Sequence, residues 1–233
     1  DPHSLPLSVL GTFVLWFGWY GLNGGRVGHF HTVEQAFLAG HVAMNMTLSA
    51  ACGGLLVFMT RYAMTNKYDI ISLCGGILAG LVSISAGVAN VESGVACFAG
   101  LIGGMIYLGV SCLLKRVGVD DPVDAFAIHG ACGMWAVVYA AFFDMGVGFD
   151  AAHGPSGGWR CFGHETGSCE TKDKHFSTQM VVANLAGIAT IIAWSGILSA
   201  AIFGILKVFG LLGDMTPDSP EKEEDDDEPL QSI

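Results

Sequence analysis

The sequence predicts an all-α integral membrane protein that crosses the bilayer six times. Of its 233 residues, 52% are hydrophobic and 13% charged. That is about half the charged share of a soluble domain, and the mean hydropathy is +0.54. The apolar residues fall into six stretches, and a crossing needs about 20 residues. No segment alternates apolar and polar with period two, which argues against a β-barrel. The 33 glycines fit this class too. They weaken an isolated helix, but in lipid small residues let helices approach closely.

The first stretch, Leu5–Leu22, carries Trp16, Trp19 and Tyr20 toward its end and leads into Asn23, Gly24, Gly25 and Arg26. Taken alone, such aromatics form an interfacial belt and Arg26 snorkels to the surface. The second, Ala36–Phe58, contains Asn45-Met46-Thr47, which matches the glycosylation acceptor pattern. Its place inside an apolar span removes it from the modifying machinery. The third and fourth, Ile70–Val91 and Val95–Leu114, are separated by a short link around Glu92. Gly76 with Gly80, and Gly100 with Gly104 behind Ala96, make four-residue stripes for close helix contact. The fifth runs from Asp124 to Phe143. The sixth, Gln179–Phe209, exceeds one crossing and extends or tilts.

These stretches define a membrane domain over 1–213, with a loop at 144–178 and an acidic tail at 214–233. Arg61 and Lys67 follow the second stretch, and Lys115 and Arg116 the fourth. By the positive-inside rule these connections and the carboxyl terminus are cytoplasmic, and the long loop lies outside. The plasma membrane is the expected location. Much of the net charge of −11 sits in the run Glu221–Glu228, a solvated segment suited to a basic partner. No basic cluster suggests nucleic acid. The chain does not begin with Met, so its start is expected upstream.

Cys52, Cys74, Cys97, Cys112 and Cys132 lie in or at the ends of spans and read as small packing residues. Cys161 and Cys169 share the outer loop, where an oxidising face permits a disulfide. Arg160, Cys161, His164, Cys169 and His175 also raise a metal loop, although their spacing matches no zinc pattern. Neither reading is decided by the residues.

The segment from Val119 to Gly130 carries the densest chemistry. Asp121 suits an N-cap, Pro122 the first helical position, and Asp124 the first turn, where a carboxylate complements the helix dipole. On that count His129 lies about 10 Å into the span. Its helical neighbours Ala125, Phe126, Cys132 and Gly133 offer no charge partner. A histidine at such depth faces a pathway, or is hydrogen-bonded between packed helices. Desolvation favours the neutral ring, with one donor and one acceptor nitrogen.

Several passages together resemble the ammonium transporter family, on its Amt/Mep branch. Pro2-His3-Ser4-Leu5-Pro6 followed by Gly18-Trp19-Tyr20-Gly21-Leu22-Asn23 is similar to the family's sixth helix. Asp120-Asp121-Pro122-Val123-Asp124-Ala125-Phe126-Ala127-Ile128-His129-Gly130 resembles its tenth-helix signature. Trp194-Ser195-Gly196 resembles a mark of the eleventh. The likeness covers all but the outer loop and the tail. It implies the second of two inverted repeats plus a final helix, a common transporter plan.

The resemblance implies transport of ammonium or ammonia through a dry pore, one per subunit of a homotrimer in membrane lipid. His129 takes the position of the second of two pore histidines. Trp19, Leu22, Asn23 and Phe126 fall along the pathway, and Asp124 and Asp121 support the helix that carries His129. No cofactor, resident metal or catalytic residue is expected. The first histidine would come from an upstream half, for which this sequence holds no candidate. Where the family has a phenylalanine, an asparagine and then a serine three positions on, this chain has Leu22, Asn23 and Arg26. Leu22 is a thinner plug, and Arg26 puts a cation where a hydroxyl would meet the substrate, weakening cation recruitment. These departures and the long outer loop leave a rival reading, a non-transporting structural or regulatory membrane subunit.

Overall fold

The computed structural model describes residues 4–26, 31–143 and 178–211, and among them every regular element is helical. They are α1 (Leu5–Gly25), α2 (Val33–Thr65), α3 (Ile70–Ile84), α4 (Ser93–Val117), a π-helical segment (Phe126–Ala131) running into α5 (Cys132–Phe143), and α6 (Thr178–Val208). Five stretches are long and apolar enough to cross a membrane: Leu5–Gly25, Val33–Thr65, Ser93–Val117, Phe126–Phe143 and Val181–Val208.

The third expected span is therefore shorter than its hydropathy. α3 stops at Ile84, and the apolar residues from Ser85 to Val91 form successive turns. Val88, Ala89, Asn90 and Val91 are nonetheless buried. Non-helical backbone at membrane depth is tolerated only where protein or a cavity satisfies its polar groups. Asn45 on α2 does this. Its amide nitrogen donates to the carbonyls of Val88 at 2.9 Å and Val91 at 2.8 Å, while its oxygen accepts from Ser93 at 3.0 Å. Asn45 is fully buried.

The core is built where α2, α3 and α4 meet. Gly53 on α2 lies against Gly76 and Gly100, and Gly80 and Gly100 both press on the Ser49 backbone. The order of these contacts makes α3 antiparallel to α2 and α4 parallel to it. A Cβ at Gly53 would sit 2.7 Å from the Gly76 carbonyl oxygen, so glycine is required for the approach. Ser49 Oγ donates to the Gly80 carbonyl at 2.7 Å across the same seam.

Local chemistry fixes the ends. Thr32 and Gln35 form a reciprocal capping box at the start of α2. Asn66 ends α2 with φ +55°, and Gly118 ends α4 with φ +74°. Asp69 caps α3 by accepting from the Ser72 N–H at 2.9 Å, and it pairs with Arg61 at 3.1 Å. Burial opposes its charge, but the Ser72 and Arg61 hydrogen bonds outweigh that and hold its carboxyl below the usual value.

The chain divides into two compact units, Asp1–Ile188 and Ala189–Ile233. Within the first, Asn184 at the start of α6 donates to the Val137 carbonyl at 2.9 Å. In the second, the described part of α6 is apolar and exposed nearly throughout. The Cys161–Cys169 pairing, the metal reading at His164 and His175, and the tail 214–233 lie outside the described residues, as does the outer loop up to residue 177.

Candidate functional site

The site forms where the end of α1, the end of α3 and the π-helical segment come together. The turn before that segment departs from the sequence expectation. Pro122 and Val123 form a turn closed by a 3.1 Å hydrogen bond from the Asp124 N–H to the Asp121 carbonyl. Asp124 takes φ +52°, outside any helix, and the helix begins at Ala125. The Asp121 carboxylate caps it, accepting from the Ala125 N–H at 2.8 Å and the Phe126 N–H at 2.9 Å.

Asp124 is thus not a first-turn carboxylate facing the dipole of its own helix. Its carboxylate reaches α4, accepting from Ser111 Oγ at 2.6 Å and Tyr107 Oη at 3.0 Å. Left-handed backbone is open to Asp because its short polar side chain tolerates it. The two bonds tie the root of the His129 helix to the flank of α4.

His129 lies four residues past the helix start, shallower by rise than a start at Pro122 implies. It sits on the π-helical segment, whose extra residue per turn swings side chains off the α-helical register. The single Cys132 S–H is shared between the Ala127 carbonyl at 3.3 Å and the Gly103 carbonyl at 3.4 Å, where π geometry gives way to α. The Phe126 ring lies over Gly130, where a Cβ would come within 2.9 Å of it. Gly130 lets the ring close down on the backbone.

Trp19 meets His129 from α1. The two rings stack with centroids 6.1 Å apart and planes 19° apart. Trp19 is aimed by its indole N–H, which donates to Ser85 Oγ at 3.1 Å just past the end of α3. Ser85 Oγ in turn donates to the Leu81 carbonyl at 2.7 Å. One helical turn after Trp19, Asn23 is fully buried and donates to the Trp19 carbonyl at 3.4 Å. Its side-chain oxygen has no hydrogen-bond partner among the described residues. Arg26, at the C-cap of α1, directs its guanidinium to the Ser85 carbonyl at 3.5 Å.

The structure therefore joins Trp19 to His129, and brings Asn23 under Trp19. Leu22 is exposed on α1 and is not part of that stack. Phe126 is also largely exposed. Sequence reasoning missed Ser85, Tyr107, Ser111, His41 and Asn45. Two of these pairs carried a legible signal: His41 with Asn45, and Tyr107 with Ser111, are polar residues four apart inside apolar helices, hence on one face. His41 Nε2 lies 2.9 Å from the Val91 carbonyl and 3.1 Å from the Asn45 amide nitrogen, donating to the first in one tautomer and accepting from the second in the other.

A family model for the Ammonium Transporter Family matches residues 1–229. Ammonium transporter 1 member 2 of Oryza sativa subsp. japonica is 30% identical over 221 residues, which cover 90% of this chain and 42% of that protein. Ammonium transporter 1 member 2 of Arabidopsis thaliana is 33% identical over 152 residues, covering 60% of this chain and 29% of that protein. Among solved structures, Mep2 of Saccharomyces cerevisiae matches with a TM-score of 0.75 at 29% identity, over 90% of this chain and 44% of that one. Candida albicans Mep2 matches with a TM-score of 0.77 at 27% identity, over 91% and 43%. The chain thus spans less than half the length of these relatives.

Proposed function

Because the chain belongs to the ammonium transporter family, we propose that it lines a pathway for ammonium or ammonia across a membrane, with His129 at its centre. One observation carries the reading: an imidazole set on a π-helical segment, with no carboxylate beside it among the described residues, stacked on a tryptophan. An imidazole in its neutral form offers one lone pair and one N–H to a nitrogen substrate, and can pass a proton between them. His129 and Phe126 are exposed in this chain taken by itself, so a pathway that excludes water and hydrated metal ions needs further membrane helices to close over them. Asn23 and Leu22 belong to the outer approach. Asp121 and Asp124 fix the helix root, so that His129 faces the same direction in every molecule.

The remaining assignments follow the same reading. The protein assembles as a homotrimer in the plasma membrane with its carboxyl terminus in the cytoplasm. Arg61 near the end of α2, Lys67 just after it, and Lys115 and Arg116 in the last turn of α4 support that orientation. Exposed apolar side chains on α1, such as Leu10, Phe13 and Phe17, suit lipid or neighbouring membrane helices.

The test is uptake of labelled methylammonium by the full-length protein in cells without their own ammonium uptake. His129→Ala is expected to abolish uptake or to change its coupling to protons. Unchanged uptake would overturn the role of His129, and no uptake by the unaltered protein would return the non-transporting reading.

A further inference from the structure

We propose that Arg26 is a specificity-determining residue: its guanidinium occupies the carbonyl end of α3 as a built-in cation, so that the uncharged base passes and the ammonium cation is disfavoured. The inference rests on the reading of His129 as part of a nitrogen pathway and adds the protonation state of the substrate.

The argument begins with the early end of α3. A helix leaves its last carbonyls without intrahelical partners, and those groups carry the negative end of its dipole. α3 ends at Ile84 with Ser85 as its C-cap, beside the Trp19–His129 stack. The Leu81, Val82 and Ile84 carbonyls there already accept from Ser85 Oγ, the Ser85 N–H, and the Gly87 N–H with Tyr139 Oη, so what stays open to a cation is the Ser85 carbonyl and the negative end of the dipole behind it, the feature that half-helix C-termini use in transporters. Here Arg26 reaches across from α1, with its guanidinium nitrogen 3.5 Å from the Ser85 carbonyl oxygen. That is a long hydrogen bond, but a full positive charge at a helix C-terminus gains from the dipole as well.

The same serine anchors Trp19 through its hydroxyl. The charge and the ring over His129 are therefore held from one residue. Among the described residues no carboxylate pairs with Arg26, and the ion pair between Arg61 and Asp69 lies at the other end of α3. Among the described residues, therefore, nothing cancels its charge locally.

The expected size follows from Coulomb's law. Arg26 is seven residues from Trp19, about 10 Å along a helix. A unit charge at that distance disfavours another cation by about twofold at the dielectric of water, and by about fifteenfold at the effective value near a protein surface. An uncharged base pays no such cost. In the favoured route, ammonium leaves its proton with the outer buffer, ammonia crosses, and it takes up a proton on the inner side. The inner compartment becomes alkaline and no net charge moves.

The experiment uses the full-length protein in liposomes loaded with a pH-sensitive dye, with membrane current recorded in parallel on addition of ammonium chloride. The unaltered protein is expected to alkalinise the lumen above protein-free vesicles with little ammonium-dependent current. Arg26→Ser is expected to raise the ratio of current to alkalinisation about twofold to fifteenfold, and Arg26→Lys, which keeps the charge, to behave as the unaltered protein. If Arg26→Ser leaves the ratio of current to alkalinisation unchanged, or if Arg26→Lys shifts it as much, the proposal fails while the transport reading stands. If neither signal exceeds that of protein-free vesicles in any variant, the transport reading itself fails and this inference with it.

Discussion

Asp124 and Ser111 are joined by a 2.6 Å hydrogen bond from the serine hydroxyl to the carboxylate, across the gap between the root of the His129 helix and the flank of α4. Tyr107, one turn earlier on α4, donates to the other carboxylate oxygen. Asp124 holds this position in left-handed backbone at φ +52°.

Replacing Asp124 therefore tests two costs at once. Asp124→Ala strands two hydroxyls and puts an ordinary residue in left-handed backbone, for a loss of about 2–4 kcal/mol. Asp124→Asn keeps an acceptor oxygen and tolerates the backbone, so it should cost about half as much or less. Thermal unfolding in detergent checks the order; equal midpoints for the two variants would contradict it.

The glycine seam predicts a sharp contrast between positions. At Gly80 an added methyl would collide with the Ser49 backbone, which has little room to yield because Gly100 presses on it from α4. Gly80→Ala should destabilise by about 1–3 kcal/mol through overpacking. At Gly18, where no atom lies within 4 Å of an added Cβ, Ala should be neutral or slightly stabilising. A melting comparison of the two single variants separates them.

Asn45 should resist its sequence motif. It is fully buried, with both ends of its amide engaged. Enzymatic deglycosylation is expected to leave Asn45-containing peptides unchanged in mass. Asn45→Ala should lose about 2–4 kcal/mol, because the Val88 and Val91 carbonyls would be left buried without the amide's donors.

The Asp69 cap gives a pH signature. Its carboxyl is held below the ordinary value, so the bound proton is disfavoured in the folded state. The resulting stability is fully present above the unfolded carboxylate value of about 3.9, and is lost as pH falls through the lower folded value. Asp69→Asn retains capping ability but not charge. Its midpoint should trail that of the unaltered protein at neutral pH, and the gap should close below about pH 4. A gap that persists undiminished in acid would assign the effect to packing.

What the sequence determined by itself was the solvent of the fold and the number of apolar segments, because hydropathy and helical length are local quantities set by the bilayer. α6 at Thr178–Val208 differs from the expected Gln179–Phe209 by one residue at each end, and His129 was marked by an ionisable ring in an apolar context. Tertiary structure alone decided where the apolar third segment stops being helical. Ser85–Val91 continues the apolar stretch, but Asn45, 43 residues before Val88 and 46 before Val91, satisfies its turns. Tertiary contact also decided that Asp124 serves α4, that the helix opens with a π-helical segment, and that Arg26 turns toward Ser85. Each of these depends on which polar group finds a partner across a helix interface, and in a dry interior that choice belongs to the packed assembly of helices.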